Sequence, residues 1–344
     1  MSKPKLILLG AIFLFTSIGM ISLLKKNKSI ETTTPTEITE NLIEKVPIPE
    51  KKVSRDKLVN DLIEKESPEP IHLDKKEVGD LPGIDLVEKL FATDSSKLPI
   101  VETITYTSRV PWLKGRPAWI ADYASHYATS RHFIARSLNR KLDYFTQNVS
   151  PGDRFNVIRS DLNLSFYLLV DTSKCKMWFY CIDLEKNERV LLKTYNIGVG
   201  RKDSKKVSGC LTPFGKYLLG SKIAIYKEGI MGYFQDQKVE MLQVFGTRWI
   251  PFEKEIEGCS DTAKGYGIHG SPWHKDPTTG ELVEDRSHIR KFDSDGCIRL
   301  NSEDIEELFA IIITKPTTVE IVDDLKKTAL PGKERESFST SYLN

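Results

Sequence analysis

The sequence predicts a mostly β domain with one helix, preceded by a small module of βααβ order. Runs of β-branched and aromatic residues recur from Leu164 onwards and are separated by turn residues, which is typical of strands. The acidic stretch that begins at Asn301 offers the cap and first turn of a single helix ending near Ile312. Between Trp119 and Leu138, apolar residues recur at helical spacing instead. We therefore expect a β-sandwich or half-barrel behind a smaller, helix-containing module.

The elements of the mostly β part follow in order along the chain. Asp171-Thr172-Ser173-Lys174 separates two apolar runs and predicts a hairpin. Lys315-Pro316 ends the helix, because proline cannot continue it. Gly198-Val199-Gly200 and Thr212-Pro213-Phe214-Gly215 permit tight turns and close backbone approach. The predicted strands cover residues 154–158, 164–170, 176–182, 190–197 and 318–322.

Two short motifs point to the chemistry. Cys297 lies in Ser294-Asp295-Gly296-Cys297-Ile298-Arg299-Leu300, directly behind a glycine and two residues before an arginine. Ile268-His269-Gly270 lies upstream in the same domain. Near neutral pH, a thiol needs a base or a positive field beside it to become the reactive thiolate. The sequence therefore predicts Cys297 as a nucleophile and His269 as its base.

These two motifs resemble the signature of the L,D-transpeptidase (YkuD) family of cysteine enzymes, which crosslink bacterial peptidoglycan. The resemblance includes their order after Gly198-Val199-Gly200 and Thr212-Pro213-Phe214-Gly215. The resemblance covers roughly residues 164–323. It implies an L,D-transpeptidase-like β-sandwich in which the nucleophile loop, a helix and a last strand close the domain.

The resemblance also implies roles for the residues around the nucleophile. Main-chain N–H groups near Gly296 and Cys297 are the expected donors to an oxyanion, because a tetrahedral intermediate needs preplaced dipoles. The Gly270 carbonyl is expected to orient the imidazole. Arg299, together with Ser294, is expected to contact the substrate, and a fixed positive charge suits its carboxylates.

The chain departs from the family pattern in two ways. Asp295 occupies a position where many members carry histidine, and a carboxylate there opposes thiolate formation unless Arg299 or a protonated His269 neutralises it. His269 and Cys297 also stand 28 positions apart, further than in typical members. The excess fits an inserted loop at residues 274–291, either a rim element that shapes acceptor access or solvated decoration.

The insertion adds His274 and His288, which with His269 raise the question of a metal site. Their intervals match no helical His-x-x-x-His arrangement, and no Cys-x-x-Cys supports them. We expect His269 to be the base and the other two to be surface histidines. No metal or organic cofactor is implied.

The N-terminal residues predict export. The nineteen residues from Leu6 to Leu24 carry no charge and are flanked by lysines. An apolar run of this length is long enough to cross a bilayer core. No Ala-x-Ala site ends the run, so a signal anchor over residues 1–26 is favoured over a cleaved signal peptide. The expected location is the bacterial cytoplasmic membrane, single-pass, with the catalytic domain on the periplasmic or cell-wall side.

Residues 27–100 predict a disordered linker. The segment is charged, punctuated by proline and contains Phe91 as its only aromatic residue before residue 100, so it cannot bury enough apolar surface to fold alone. Residues 58–63 and 84–91 have helical spacing of apolar residues. We interpret them as transient helices in a tether, with docking to a partner as the alternative.

Residues 101–160 form the predicted βααβ module. Trp119, Ile120, Tyr123 and Tyr127 line one helical face, and Pro151-Gly152-Asp153 marks a turn before the last strand. In order, these features resemble a diverged LysM repeat, a module that binds the glycan of peptidoglycan. The alternative is a helical spacer packed on the catalytic domain.

Charge and cysteine content add two limits. The formal net charge is +2, so no strongly basic domain indicates nucleic acid as a partner. The five cysteines are an odd set, so at least one thiol is free. If any disulfide forms, Cys210 with Cys259 is the pair we expect, with free buried thiols as the alternative.

Together these features predict a membrane-anchored L,D-transpeptidase with its catalytic domain at residues 161–325 and a tail at 326–344. By resemblance, Cys297 attacks the third residue of a tetrapeptide stem, and an amine of another stem resolves the thioester to give a 3→3 crosslink. Peptidoglycan is the expected partner. An L,D-carboxypeptidase of the same fold and a non-catalytic peptidoglycan-binding protein are the alternatives.

Overall fold

The computed structural model describes residues 84–139 and 148–338. The predicted membrane anchor and residues 27–83 of the predicted linker lie outside these ranges. Within them, no helix has both the length and the apolar character needed to cross a membrane.

The elements alternate along the chain much as the sequence predicts. The described α-helices are α1 (Val87–Phe91), α2 (Ile120–His126), α3 (Arg131–Asn139), α4 (Leu242–Phe245) and α5 (Ser302–Ile312), with short 3₁₀ turns at Arg286–His288 and Leu325–Lys327. The described strands are β1 (Val101–Thr105), β2 (Arg154–Ile158), β3 (Leu164–Asp171), β4 (Lys176–Asp183), β5 (Glu188–Asn196), β6 (Val199–Gly200), β7 (Gly215–Leu219), β8 (Ala224–Ile225), β9 (Met231–Phe234), β10 (Gln237–Glu240), β11 (Arg248–Glu257), β12 (Gly267–Gly270), β13 (Trp273–Lys275), β14 (Leu282–Glu284), β15 (Phe292–Ser294), β16 (Ile298–Leu300), β17 (Thr317–Val322) and β18 (Lys333–Arg335).

A ten-stranded curled sheet forms the body of the catalytic domain. Its strand order is β16-β12-β11-β7-β17-β3-β4-β5-β18, and β8 pairs with β11 beside this path. The predicted hairpin is present, because β3 and β4 pair antiparallel from Leu164↔Asp183 to Asp171↔Lys176. The mostly β class is therefore confirmed, with one continuous sheet in which β17 returns to pair parallel with β3.

Both faces of this sheet are covered. Along β3, Phe166, Leu168 and Val170 lie in the main core, while Tyr167 and Leu169 belong to a second cluster on the opposite face, as the alternation of a strand requires. Fully buried strands of this kind read as continuous apolar runs, which explains the composition of β3 and β4.

The predicted tail contributes to this covering. Leu325 and Leu330 pack against the outer cluster, and β18 adds a parallel strand beside β5. Residues 326–338 are therefore part of the fold, because they cover apolar side chains that the sheet would otherwise expose to water.

The predicted helix after the nucleophile is α5, which begins at Ser302 and ends at Ile312. Glu303 and Asp304 occupy its first turn, where carboxylates interact favourably with the helix dipole. Leu308 and Phe309 have no exposed surface and pack into the main core. The sequence predicted one helix in this part. The structure adds a second, α4, whose four residues are too few to produce a recognisable helical pattern in the sequence.

Residues 84–100 differ from the predicted linker. Val87, Leu90 and Phe91 in α1 are fully buried in the main core, and the Phe91 ring packs on Phe133 with 5.3 Å between ring centroids. The apolar residues that suggested a transient helix thus pack against α3. The physical reason is that the helix finds its apolar partner in the module rather than within its own segment.

The module has the predicted βααβ order, and β1 pairs antiparallel with β2. It has a small apolar cluster of its own around Tyr123 and Phe155, while Phe133 and Ile158 belong to the main core. The His132 ring meets Phe309 of α5 edge-on, with 5.1 Å between centroids. The module therefore packs directly on the catalytic domain, as the spacer alternative expected.

A buried carboxylate reinforces this contact. Glu307 of α5 accepts hydrogen bonds from Lys193 at 2.7 Å and from the Tyr195 hydroxyl at 2.9 Å, and Arg136 of α3 lies 3.9 Å away. Burial raises the pKa of Glu307, and the Lys193 charge opposes that rise. Lys193 also pairs with Asp85 at 2.9 Å, so one charge cluster connects the N-terminal segment, the sheet and α5.

This packing predicts that the segment before the module stabilises the whole fold. Leu90→Ala should lower the free energy of unfolding of the full chain by roughly 2–5 kcal/mol, because it leaves a cavity in the main core. Chemical denaturation measures the change, and Val207→Ala, at a side chain with 89% exposure, is the matched control. Equal stability of the two variants would show that α1 does not belong to the core.

Candidate active site

The site forms where β12 and β16 pair as parallel strands at one edge of the sheet. Their register places Ile268 beside Ile298 and His269 beside Arg299. Both isoleucines are fully buried in the main core, so His269 and Arg299 share the opposite face. Cys297 stands two residues before Arg299 and belongs to that same face by alternation. The pairing thus brings the predicted nucleophile, base and cation together.

A tight loop presents Cys297 at the start of β16. The Ser294 hydroxyl donates to the Cys297 carbonyl at 2.6 Å and accepts from the Gly296 N–H at 3.1 Å. Gly296 has a φ of +119°, and a Cβ at this position would collide with the Tyr266 ring and the Leu211 carbonyl. Glycine is required here, which explains its place before the nucleophile.

The two small-residue segments support this loop from behind. The Gly200 N–H donates to the Thr212 hydroxyl at 2.7 Å, and a Cβ on Gly200 would collide with the backbone at Thr212. The next N–H, of Arg201, donates to the Ser294 carbonyl at 2.9 Å. The predicted close backbone approach therefore serves to position the nucleophile loop.

His269 is buried and held in one orientation. Its Nδ1 lies 2.7 Å from the Gly270 carbonyl oxygen, so Nδ1–H is the donor there, and the Phe245 main chain is a second hydrogen-bond partner of the ring. The Phe245 ring meets the imidazole edge-on with 5.3 Å between centroids, and Trp249 lies at 5.8 Å. The sequence analysis predicted the contact with the Gly270 carbonyl. It did not predict that Phe245 and Trp249 pack against the imidazole.

The resting thiol and imidazole are both uncharged near neutral pH. Burial raises the pKa of Cys297 to about 11, and Asp295 acts in the same direction, against a main-chain hydrogen bond from Gly267 and the Arg299 charge. Burial lowers the pKa of His269 to about 3, and the Arg299 charge adds to that effect. If Cys297 attacks a substrate with His269 as its base, the proton would have to move from sulfur to nitrogen during the attack, rather than before it.

Two ion pairs flank the nucleophile. Arg299 Nη1 lies 3.0 Å from Asp293 Oδ1, and both side chains are largely buried. On the exposed rim, Arg201 pairs with Asp295 at 2.6 Å. Asp295 is therefore neutralised by Arg201, a partner that the sequence analysis did not identify because nothing in the local sequence connects the two positions.

Two expectations about side chains change, those for Ser294 and His288. Ser294 is buried, and its hydroxyl braces the nucleophile loop instead of facing a substrate. His274 is exposed on β13, as expected, but His288 contacts Asp293 at 2.7 Å and is not a plain surface histidine. Among the described residues, no cluster of His, Cys, Asp and Glu is arranged to hold a metal ion.

The suggested disulfide is absent. All five cysteines, which all lie in the described ranges, are free thiols. The Cys210 thiol is buried and lies 3.6 Å from the Thr212 carbonyl, while the Cys259 thiol lies 3.1 Å from the Lys216 carbonyl. Each sulfur therefore contacts a backbone oxygen in its own neighbourhood.

The uncharged pair predicts how Cys297 reacts with pH. Its alkylation by iodoacetamide should accelerate about tenfold per pH unit from pH 6 to pH 9, because only the thiolate reacts. His269 stays neutral over this range, so it should contribute no inflection of its own to the profile. Peptide mass spectrometry follows the label on Cys297 separately from Cys259, and a rate that levels off below pH 8 would indicate a preformed thiolate–imidazolium pair.

Comparison with known proteins identifies the catalytic part. Residues 165–321 match the profile of the YkuD family, the L,D-transpeptidase catalytic domain. No curated protein matches the chain. The match does not include residues 101–160, so the LysM-like identity of the module stays a prediction.

Three solved structures are similar in part. The helical cell shape determining protein Pgp2 from Campylobacter jejuni shares 19% identity over 49% of this chain and 50% of that chain, with a TM-score of 0.30. Bd1075 from Bdellovibrio bacteriovorus shares 18% over 46% and 48%, with a TM-score of 0.30. L,D-transpeptidase 3 from Mycobacterium tuberculosis shares 13% over 50% and 76%, with a TM-score of 0.27.

This chain spans about half the length of the first two of these proteins. The family match coincides with the curled, mostly β domain that holds Cys297 and His269 on one face of paired strands. Residues 165–321 therefore match the L,D-transpeptidase catalytic domain of the YkuD family.

Proposed function

We propose that this protein is a cysteine L,D-transpeptidase that forms 3→3 crosslinks in peptidoglycan. The observation that supports it best is the shared face of β12 and β16, which carries a thiol, an oriented imidazole and an arginine. The donor is a tetrapeptide stem, and the acceptor is an amine of a second stem. The predicted N-terminal anchor would hold the enzyme at the membrane, with the catalytic domain facing the wall.

The reaction proceeds in two steps of acyl transfer. In the first, the Cys297 sulfur attacks the carbonyl carbon of the third stem residue, while His269 Nε2 takes the thiol proton. The main-chain N–H of Cys297 is the expected oxyanion donor, because the Gly296 N–H already donates to Ser294. His269 returns the proton to the departing amine, so the C–N bond breaks and the terminal D-alanine leaves.

In the second step an amine of another stem attacks the thioester. His269 takes the amine proton, a new C–N bond forms, and the thiolate leaves and is reprotonated. Water in place of the amine would release a tripeptide, which is L,D-carboxypeptidase activity. Arg299 supplies a fixed positive charge close to the thiol, suited to a stem carboxylate.

The first test is incubation of the purified chain with tetrapeptide muropeptides. A thioester on Cys297 should appear by intact-mass spectrometry, followed by dimers with a 3→3 bond. Cys297→Ala should abolish both products, and His269→Ala should slow acylation by roughly two to four orders of magnitude, as expected for a lost general base. Tripeptides without dimers would assign a carboxypeptidase, and no thioester would favour a wall-binding protein.

We further propose that the βααβ module contributes binding to the glycan. Trp119 is 64% exposed at the start of α2, where its flat apolar ring is free to contact a ligand. Asp122 accepts from the Trp119 N–H at 2.8 Å and fixes the backbone there. An exposed indole on a braced backbone is well suited to contact with an extended polymer.

Trp119→Ala should therefore weaken sedimentation of the protein with insoluble peptidoglycan and leave turnover of small muropeptides unchanged. Because the side chain is exposed, the midpoint of thermal unfolding should not move, unlike after deletion of the packed module. Val207→Ala is the control for loss of an exposed apolar residue. Unchanged sedimentation of Trp119→Ala would leave the module as a spacer.

A further inference from the structure

The insertion at residues 274–291 reaches the active site through His288. After the β13–β14 hairpin, the chain turns through Arg286–His288 and returns as β15. The Gly198 backbone exchanges both hydrogen bonds with Arg299 at 2.9 Å, and a Cβ on Gly198 would collide with the His288 carbonyl. The end of the insertion at His288 therefore lies close to the strand that carries Arg299, while most of residues 274–281 are exposed.

His288 lies between two carboxylates. Its Nδ1 is 2.7 Å from Asp293 Oδ2, and its Nε2 is 3.1 Å from Asp285 Oδ2. A neutral imidazole has only one N–H donor, whereas the imidazolium has two. The protonated ring donates to both carboxylates, whereas the neutral ring donates to Asp285 and its Nδ1 can accept from Arg299 Nη1, 3.2 Å away.

Asp293 is shared between two cations. Its Oδ1 accepts from Arg299 Nη1 at 3.0 Å, while its Oδ2 faces His288, and Nη1 and Nδ1 are 3.2 Å apart. The contacts of Arg299 with Asp293 and His288 both use Nη1. The Arg299 charge also acts on both catalytic groups, since it lowers the pKa of Cys297 and of His269.

We propose that His288 and Asp293 set, through the His288 proton, how strongly Arg299 binds a carboxylate of the stem peptide. While His288 is charged, it competes for Asp293, and Arg299 keeps much of its attraction for an anion. Once His288 loses its proton, Asp293 neutralises Arg299 and the substrate carboxylate binds more weakly. The inference rests on the proposed function, because it names the substrate group that the same site recognises.

The charged groups around His288 support this direction. Asp285 precedes it in the turn, Asp293 lies on β15 and Arg299 on β16, and His274 on β13 acts on Asp285 from further away. With His288 protonated, the nearest four groups have no net charge. Without that proton they carry a net negative charge, which repels a carboxylate.

The test measures peptide binding, so that it does not depend on turnover. Calorimetry on the Cys297→Ala protein gives the Kd of tetrapeptide stems with all carboxylates free, and of stems with one carboxylate amidated at a time. The Kd of the free-acid stem should rise about tenfold between about pH 5 and pH 8, as the positive charge on His288 is lost. The stem that is amidated at the carboxylate bound by Arg299 should bind weakly at both pH values. Arg299→Gln should remove the difference in Kd between that stem and the free-acid stem.

Substitutions of His288 and Asp293 should change the Kd of the free-acid stem in opposite directions. His288→Gln should bind the free-acid stem at the weak, high-pH level across the whole range, because glutamine leaves Asp293 to Arg299. Asp293→Asn should bind at the tight, low-pH level or better across the range, since the amide oxygen still accepts from Arg299 and carries no charge. Glu281→Gln, an exposed carboxylate of the same insertion, is the matched control and should behave like the parent protein.

A structural role for the cluster predicts something else. If both variants weaken binding together, or if His288→Gln keeps the pH dependence of the parent, the inference is wrong. If the protein forms no thioester but the two variants shift the Kd in opposite directions, the proposed catalytic function is wrong and the proposed carboxylate site is supported. If the protein turns over muropeptides but amidation of the stem carboxylates does not change the Kd, the proposed function is supported and the inference about Arg299 is wrong.

Discussion

The parallel pairing of β12 with β16 is the constraint on which the site depends. Residues 28 positions apart become neighbours only because these strands share a register, with Ile268 and Ile298 buried on one face. A slip of one residue would turn His269 into the core and expose an isoleucine, so burial of the apolar face specifies the catalytic face. β11 holds β12 from its other side, which connects this edge to the rest of the sheet.

The N-terminal segment and the module are part of the same hydrophobic core. Glu307 shows how closely they are joined, because a buried carboxylate needs the partners that Lys193 and Tyr195 provide, and Lys193 in turn pairs with Asp85. Loss of one partner would leave a charge without compensation, which costs more than the pair itself contributes. A module docked in this way presents any bound polymer at a fixed position relative to the catalytic domain.

Charge at the site is arranged in two layers. The exposed pair of Arg201 and Asp295 is of the kind that contributes little to stability, so it can exchange partners with a substrate at low cost. The inner group around Arg299 is less exposed and more strongly coupled to the thiol and the imidazole. Asp295, a departure from the family pattern, is thus accommodated by Arg201, while Asp293 and His288 control the cation nearest the nucleophile.

The sequence by itself determined local features: several long strands, the helix at residues 302–312 and the glycine before Cys297. It also predicted His269 as the acid–base partner of the thiol. The local features follow from periodicity, turn chemistry and a φ that glycine alone adopts readily, all of which act over a few residues. Tertiary structure decided the rest. Phe245 and Asp293 surround the catalytic groups, α1 enters the core, and Ser294 turns inward, because each depends on contacts between segments distant in the chain. No pattern within a short window of sequence specifies which distant side chain will neutralise a charge or cover an apolar face.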